Sequence, residues 1–484
     1  MTDSAPILVW FRLDLRLADN PALTAAVVRG RPVIPVFILD DADAGDRAIG
    51  GASRWWLHGS LQALSTDLAA KHTRVVLRQG AAREQLDRLI TETGADAVFW
   101  NRRYEPWATA RDQTLKTTLE SRGIEVRSFN AGLLYEPWQV TSKQDTPLKV
   151  FTPFWRALLA KGSPAEPLPA PASIPTPHTW PDSEPLETWT LRPSQPDWAG
   201  GLRANWIPGE QAARKRLIDF LDGPVFNYGD TRNRPGTPGT SRLSPHLHFG
   251  EISPRQIWHA TRMKSEAETG QSMAAGVEVY LKEIVWREFS YNLLFHMPDL
   301  PVTSLKPAFE NFPWRQDEST FKAWQRGRTG YPIVDAGMRE LWCTGWMHNR
   351  VRMIVASFLI KHLMVHWRHG EAWFWDTLVD ADLASNAASW QWVAGSGADA
   401  APFFRIFNPI LQGEKFDPEG DYIRRWVPEL TGLPNVLIHQ PWTARPLDLA
   451  EAGIQLGYDY PGPIVDHKAA RNRALAAYKN LNKA

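Results

Sequence analysis

The sequence contains almost no cysteine: Cys343 is the single one among 484 residues. One thiol excludes an intramolecular disulfide and any four-cysteine zinc or iron–sulfur site. A lone free thiol is typical of a reducing compartment, so we expect a cytoplasmic protein. No run approaches the roughly 18 uncharged apolar residues that a membrane span requires, and no basic stretch precedes an apolar core at the start. We therefore expect neither a membrane span nor a signal peptide.

The chain also lacks an excess of either charge, with 54 Lys and Arg against 53 Asp and Glu. This balance argues against a uniformly basic nucleic-acid surface, but it permits a local basic groove. No G-x-S-x-G elbow and no P-loop are present, which argues against a hydrolase or an NTPase. His362 and His366 form an H-x-x-x-H pair without the glutamate of a zinc protease. We interpret them as helix-surface histidines and expect no metal site.

What the sequence has in abundance is tryptophan, 24 residues in all, together with strand–helix alternation in its first part. Buried strands are predicted at Ile7–Phe11, Val33–Leu39, Arg74–Leu77, Ala97–Trp100 and Glu125–Phe129. Helices are predicted between them at Pro21–Arg29, Ser53–Lys71, Ala82–Glu92 and Ala108–Arg122. Such alternation indicates a parallel, Rossmann-like sheet in an α/β domain over residues 1–130. No G-x-G-x-x-G follows the first strand, so the usual dinucleotide cradle is missing.

The composition changes twice after residue 130. Ten prolines fall between Pro164 and Pro196, and we interpret residues 131–205 as an extended linker, either draped over the surface or mobile. Helical periodicity then dominates residues 206–484, which we predict to be an all-α domain. Its main helices are predicted at Gly209–Leu221, Ser253–Lys264, Gly276–Leu294, Ser319–Arg326, Val334–Cys343, Met347–His366 and Glu371–Leu378.

The segment 376–396, DTLVDADLASNAASWQWVAGS, concentrates polar and aromatic side chains: Asp380, Asp382, Asn386, Trp390 and Trp392. Asp382, Asn386 and Trp390 are spaced by four residues, so a helix would place them on one face. That face offers hydrogen-bond acceptors, an amide and a π-surface, a set that suits a polar heteroaromatic ring. A capped helix with an aromatic core contact explains the segment alone at least as well.

The run from Tyr228 to Ser244 reads YGDTRNRPGTPGTSRLS. Its glycines and prolines permit tight turns, and the hydroxyls of Thr240, Ser241 and Ser244 lie beside Arg242. Backbone N–H groups and hydroxyls in such a loop can bind phosphate oxygens. An ordinary surface loop is an equally good reading of the run by itself.

Two predicted helices carry polar groups on one face or at one end. Glu283, Trp286 and Arg287 share a face opposite apolar residues, so they line a pocket or form a solvated Glu–Arg pair. The second helix carries Asn349, Arg350, Arg352 and Met353 near its start, ahead of an apolar stretch.

Taken together, these motifs resemble the cryptochrome/DNA photolyase family. The resemblance is carried by WFRLDLRLADN, GTSRLSPHLHFGEISPRQ, WREF, TGYPIVDAGMR, TGWMHNRVRM and DADLASNAASWQW followed by FRIFNP, in that order along nearly the whole chain. The family fold is an α/β domain, a long connector and a helical domain that buries FAD. The expected cofactor is thus FAD, active as FADH⁻.

By this resemblance, one set of residues would surround the FAD. Its phosphates and ribityl chain would be contacted by Tyr228, Thr240, Ser241, Arg242, Leu243 and Ser244. Arg352, Asp380 and Asp382 would surround the flavin ring, and Asn386 would face its N5. Trp390, Trp367 and Trp314 match the family's electron-transfer chain between the flavin and the surface.

A second set would bind the lesion, which photolyases flip out of the DNA stack. Trp286 and Trp392 resemble the stacking surfaces, and Glu283 resembles the group that hydrogen-bonds the lesion during reduction. The remaining contacts to lesion or DNA would come from Arg232, Arg287, Asn349, Arg350 and Met353.

The residues at branch-specific positions favour a class I cyclobutane pyrimidine dimer (CPD) photolyase. (6-4) photolyases carry two histidines where this chain has Asn349 and Met353. Plant-type cryptochromes tend to have an acidic residue, and animal-type ones a cysteine, at Asn386; plant-type members also depart from Trp392. The alternatives are a cryptochrome-type blue-light photoreceptor and a (6-4) photolyase.

The expected partner is DNA containing pyrimidine dimers, bound by a monomer that needs no obligatory protein partner. The resemblance also allows a second, antenna chromophore, whose identity the sequence leaves open. Folate-binding members have an Asn–Glu pair where this chain has Trp107–Ala108, a departure that puts methenyltetrahydrofolate in doubt and leaves a deazaflavin, another flavin or no antenna.

Overall fold

The computed structural model describes residues 4–270, 273–399 and 404–481. It divides into two compact units. The N-terminal unit comprises Met1–Ala199, Arg203–Phe226 and Ser241–Pro298, and the C-terminal unit comprises Gly200–Leu202, Asn227–Thr240 and Asp299–Ala484. The division into residues 1–130, 131–205 and 206–484 made from composition stays a prediction. Within the described ranges, no helix has both the length and the apolar character needed to cross a bilayer.

A five-stranded parallel sheet organises the N-terminal unit, in the order β3-β2-β1-β4-β5. The strands are β1 (Ile7–Phe11), β2 (Val33–Leu39), β3 (Val76–Gln79), β4 (Ala97–Asn101) and β5 (Glu125–Phe129). The central strand β1 is buried throughout, and its Val9 is in register with Pro35 and Phe99. Burial on both faces explains the uninterrupted apolar sequence of this strand. The predicted α/β fold is confirmed, although β3 starts two residues later than expected.

Helices connect the strands: α1 (Pro21–Val27), α2 (Gly51–Ala69), α3 (Ala82–Thr93), α4 (Pro106–Ser121) and, after β5, α5 (Phe151–Leu159). The first helix begins as its sequence predicts. Asn20 is its N-cap and accepts a hydrogen bond from the Leu23 N–H at 3.1 Å, and Pro21 occupies the first helical position.

The proline-rich segment lies along the sheet of its own unit. The Glu184 N–H donates to the Leu77 carbonyl at 2.9 Å, and the Asp19 N–H donates to the Leu168 carbonyl at 2.7 Å. Of the two alternatives that composition left open, these contacts support the draped segment, because its main chain is hydrogen-bonded to β3 and to the residue before the N-cap of α1.

The rest of the described chain is mainly helical, as predicted. Its α-helices are α6 (Gly200–Asn205), α7 (Glu210–Leu221), α8 (Tyr228–Thr231), α9 (Ser244–His248), α10 (Pro254–Thr269), α11 (Ala275–His296), α12 (Glu318–Gln325), α13 (Pro332–Thr344), α14 (Asn349–Ser357), α15 (Trp367–Thr377), α16 (Leu383–Ala394), α17 (Pro409–Phe416), α18 (Asp421–Trp426), α19 (Asn435–Ile438), α20 (Pro446–Glu451) and α21 (His467–Leu481). One core cluster of the C-terminal unit contains residues of α13–α16 and the buried indoles of Trp324, Trp367 and Trp390.

The prediction of one helix from Met347 to His366 is wrong. Helix α14 ends at Ser357, a π-helical turn covers Phe358–His362, and α15 starts at Trp367 with His366 as its N-cap. His362 is fully buried, with its Nε2 2.8 Å from Nδ1 of His467, so its assignment to the helix surface is also wrong. Among the described residues, no group of three or more His, Cys, Asp or Glu could hold a metal ion.

Candidate functional site

Arg352 and Asp380 form an ion pair in the C-terminal unit. Nη2 of the guanidinium lies 2.8 and 3.1 Å from the two carboxylate oxygens, and its Nε donates to the Met347 carbonyl at 2.7 Å. The Asp380 side chain is 2% exposed and that of Arg352 is 24% exposed. Since the guanidinium is bonded through both Nε and Nη2, the pair presents fixed hydrogen-bonding atoms without a net charge.

Asp382 and Asn386 lie one turn apart at the start of α16, as their spacing predicts. Asp382 is the N-cap of the helix and accepts from the Ser385 N–H at 2.7 Å. The Nδ2 of Asn386 donates to the main-chain oxygen and to Oε1 of Glu371, both at 3.0 Å. Because these two bonds engage both Nδ2 protons, the amide oxygen is the atom that Asn386 can offer to a ligand.

The three tryptophans assigned to electron transfer lie on or beside α15. Trp390 packs on its Gly370, where a Cβ would come within 2.2 Å of the indole. Trp367, the first residue of α15, is fully buried. The ring of His366 lies 5.7 Å from that of Trp367 and 4.8 Å from that of half-buried Trp314, between ring centroids. The structure therefore brings Trp314 and Trp367 against one shared histidine.

The proposed phosphate loop is divided between the two units. In the C-terminal unit, buried Tyr228 starts α8, and Thr240 follows Gly239, where a Cβ would lie 2.6 Å from the Cβ of Thr231. This glycine therefore permits a close approach of two chain segments.

In the N-terminal unit, Arg242 has a φ of +51° and its guanidinium lies 4.5 Å from the Trp206 ring centroid. Leu243 is the N-cap residue and Ser244 the first residue of α9, and Ser241 lies between Thr240 and Arg242. A non-glycine residue in the left-handed region costs about 1–3 kcal/mol and often marks a functional site.

The α11 residues assigned to the lesion face away from the core, as predicted. Glu283, Trp286 and Arg287 are half-buried, whereas Val277, Leu281, Ile284 and Val285 on the other face are buried. Trp286 stacks on Phe151 with ring centroids 3.7 Å apart and planes at 4°, and Arg287 donates to the Gly132 carbonyl at 2.7 Å. Phe151 thus supports one face of the Trp286 indole.

Three of the residues assigned to the lesion in the C-terminal unit, Asn349, Arg350 and Met353, lie at the start of α14. Asn349 is exposed, while Nε and Nη2 of Arg350 donate to Oδ1 of Asn233 at 3.1 and 2.8 Å. Nη1 of Arg350 lies 3.7 Å from the Met353 sulfur. In the same unit, Arg232 lies 5.6 Å from the ring of Tyr228.

Trp392 is half-buried near the end of α16. Its Nε1 donates to the Asp399 carbonyl at 3.1 Å, a bond that fixes the orientation of the indole.

Three residues that orient these side chains were not singled out from the sequence. Glu371 holds Asn386, Asn233 holds Arg350, and His348 caps α14 by accepting from the Arg350 N–H at 3.2 Å. Burial, together with the charges of Arg350 and Arg352, lowers the pKa of His348 to about 4, so it is neutral and able to accept. Long sequence separations hide the first two contacts, and histidine is not among the usual N-cap residues.

Comparison with known proteins assigns this chain to a family. The profile of the FAD binding domain of DNA photolyase matches residues 280–480, and the DNA photolyase profile matches residues 7–172. A curated deoxyribodipyrimidine photo-lyase of Agrobacterium fabrum is 56% identical over 99% of each chain. Cryptochrome-1 of Arabidopsis thaliana is 43% identical over 98% of this chain and 70% of its own length.

Among solved structures, the crystal structure of a bacterial class III photolyase from Agrobacterium tumefaciens superimposes with a TM-score of 0.96. It is 56% identical and covers 100% of this chain and 99% of its own. The chain belongs to the DNA photolyase family and carries that family's FAD-binding domain. The class I assignment is not confirmed, since this solved relative is of class III.

The hydrogen-bond donors and acceptors of the C-terminal unit fit a flavin ring. The ring carries an N–H donor, carbonyl acceptors and a redox-active nitrogen. The Arg352–Asp380 pair supplies both donor and acceptor atoms, and Asn386 supplies an oriented amide oxygen. Asp380, Asp382 and Asn386 are each less than 10% exposed, so a ring beside them would be shielded from water.

Proposed function

We propose that the protein repairs cyclobutane pyrimidine dimers in DNA in a light-dependent reaction. When bound, reduced FAD supplies the light-driven electron that splits the dimer ring and receives it back. The chain's own residues bind the flavin, orient its ring and hold the extruded lesion. The observation that carries the proposal is Asn386, whose amide is fixed by Glu371 in the same unit that holds the Arg352–Asp380 pair.

The residues around the flavin have separable roles. Arg352 and Asp380 hold the ring edge, and Asp382 accepts a ring N–H while it caps α16. Asn386 directs its oxygen toward N5 and tunes the reduced state. The hydroxyls and backbone of the loop from Tyr228 to Ser244 bind the phosphates and the ribityl chain.

The lesion is held by aromatic surfaces and by a few polar contacts. Trp392, anchored through its Nε1, and Trp286, backed by Phe151, provide stacking faces, and stacking contributes about 1–3 kcal/mol per base. Glu283 hydrogen-bonds a lesion carbonyl.

The other DNA-binding assignments follow from charge and position. Arg232 and Arg287 contact the phosphate backbone. Asn349, Arg350 and Met353 line the lesion pocket, where they replace the two histidines of (6-4) photolyases. Without histidines to donate a proton, these contacts suit a cyclobutane dimer better than a (6-4) photoproduct.

Repair is tested by illuminating the reduced holoprotein with an oligonucleotide that contains one cyclobutane thymine dimer. Pyrimidine absorbance near the thymine band should recover in the light and not in the dark. An oligonucleotide with a (6-4) photoproduct is the matched control and should remain unrepaired. If the dimer persists under illumination, the proposal is wrong.

The alternative is a flavin photoreceptor, which the 43% identity to Cryptochrome-1 of Arabidopsis thaliana favours. In that case, light would change the flavin redox state without loss of the dimer. The test above separates the two functions directly.

We also propose that the protein acts as a monomer in the cytoplasm, without an obligatory protein partner. Light scattering of the purified holoprotein, alone and with the dimer oligonucleotide, tests the oligomeric state. The absorption spectrum of the same sample reports whether a second chromophore is bound and of which class.

A further inference from the structure

One cation lies against the middle indole of the tryptophan chain. The Arg368 guanidinium carbon is 5.6 Å from the Trp367 ring centroid. Glu310 approaches Arg368 to 3.7 Å and compensates part of its charge, and the Arg368 side chain is 42% exposed. Among the described residues, no cation is found over the rings of Trp314 or Trp390. The electrostatic environment of Trp367 therefore differs from that of its two partners.

A cation near an indole face stabilises the neutral ring through its negative quadrupole. Removal of an electron converts this attraction into repulsion between two positive charges, so Arg368 disfavours oxidation of Trp367. Loss of a proton does not distinguish Trp367 from Trp314, because Nε1 of Trp367 and Nε1 of Trp314 are both buried and have no hydrogen-bond acceptor in the described structure.

Trp314 offers a more favourable place for the positive charge. It is half-buried, and its ring is in contact with His366 at 4.8 Å. The Nδ1 of His366 accepts a hydrogen bond from the main-chain N–H of Arg368 at 3.1 Å. Burial, together with the charge of Arg368, lowers the pKa of His366 to about 4. His366 is thus neutral at physiological pH and adds no positive charge beside Trp314.

We propose that Arg368 is a positioning residue of the photoreduction chain that drives the positive charge from Trp367 outward to Trp314. This inference rests on the proposed flavin-dependent function and on the electron-transfer role that the family resemblance implies for the three tryptophans. One electron passes from Trp390 to the light-excited oxidised flavin, Trp367 refills Trp390, and Trp314 refills Trp367. An external thiol then reduces the oxidised Trp314. Each transfer moves one electron, and the thiol is the final donor.

The experiment compares Arg368→Gln, which removes the charge, with Arg368→Lys, which retains it. The oxidised holoprotein is excited by a flash in increasing concentrations of dithiothreitol, and the decay of the tryptophan radical is followed by transient absorption. In the wild-type protein and in Arg368→Lys, the thiol should shorten the radical lifetime, because the radical is on half-buried Trp314. In Arg368→Gln, a several-fold larger fraction should decay independently of thiol, because it remains on buried Trp367.

Two further measurements keep the test specific. Glu310→Gln removes the partly compensating carboxylate, so the thiol-insensitive fraction should stay at or below the wild-type level. Raised salt should screen the half-exposed guanidinium and shift the wild-type protein toward Arg368→Gln, with little effect on that variant. Flavin content and far-UV circular dichroism check that each variant is folded.

An unchanged thiol dependence in Arg368→Gln would overturn the inference. Its failure is distinguishable from failure of the proposed relay. If Trp367→Phe abolishes photoreduction while Arg368→Gln behaves as wild type, the relay stands and the role of Arg368 is wrong. If Trp367→Phe has no effect, the relay itself is absent.

Discussion

The amide nitrogen of Asn386 donates to both the main-chain oxygen and the carboxylate of Glu371, each at 3.0 Å. Glu371 lies in α15 and Asn386 in α16, so the bonds join two helices at the site. They determine which end of the amide is available to a ligand, and this orientation can be tested by changing Glu371 alone.

Glu371→Met should release one Nδ2 proton of Asn386 and loosen the orientation of the amide. A buried donor without a partner costs about 1–3 kcal/mol, so the amide is expected to reorient. Flavin should still bind, but its reduction potential and the rate of air oxidation of its reduced form should change. Glu371→Gln retains an acceptor and is the control, and identical values for the two variants would contradict the orienting role.

Arg352→Gln should destabilise the protein by about 3–5 kcal/mol, because it leaves the Asp380 carboxylate buried without a counter-charge. Flavin content should fall as well. The double variant Arg352→Gln/Asp380→Asn should recover much of the stability, since it removes both charges. Urea unfolding of the three proteins measures the difference, and a double variant no more stable than the single one would argue against this explanation.

Trp367→Phe should strongly reduce photoreduction of the oxidised flavin, because phenylalanine is much harder to oxidise than tryptophan. Dimer repair should persist when the flavin is reduced chemically beforehand, since repair does not need the relay. Trp324→Phe is a matched control, because Trp324 is equally buried in the same core but was not assigned to the relay. Survival of both activities in Trp367→Phe would show that the assignment is wrong.

Lys361 makes stability depend on pH. Burial, with a smaller contribution from the Arg405 charge, lowers its pKa to about 7, although its ammonium group donates to the Arg405 carbonyl. In the unfolded chain the lysine holds its proton to about pH 10.5. The folded state therefore carries a cost for the buried charge below pH 7, and this cost decreases as pH rises from 7 to 10.5.

Lys361→Met removes that titration. Relative to this variant, the wild-type protein should gain stability with pH by up to about 1.4 kcal/mol per pH unit within that window. Chemical denaturation at pH 6, 7, 8 and 9 measures the trend. A constant difference between the two proteins across these values would contradict the lowered pKa.

Local sequence determined much of this protein. The periodicity of apolar residues and the composition predicted the parallel sheet and the helical part. The strands were recognisable because a strand buried on both faces must be continuously apolar, as β1 is. Caps such as Asn20 and Asp382 are local features, because each bonds to the N–H group three residues further along the chain. The order of motifs indicated the family.

Tertiary structure decided what lies far apart in sequence. The chain itself contains no signal that pairs Asn386 with Glu371 or His362 with His467, and the resemblance alone put Arg352 near Asp380. The break between α14 and α15 was missed because the apolar periodicity continues through the π-helical turn. Sequence thus supplied the side chains of the segment 376–396, whereas long-range contacts set their orientation, since the energy that fixes a buried polar group comes from its partner.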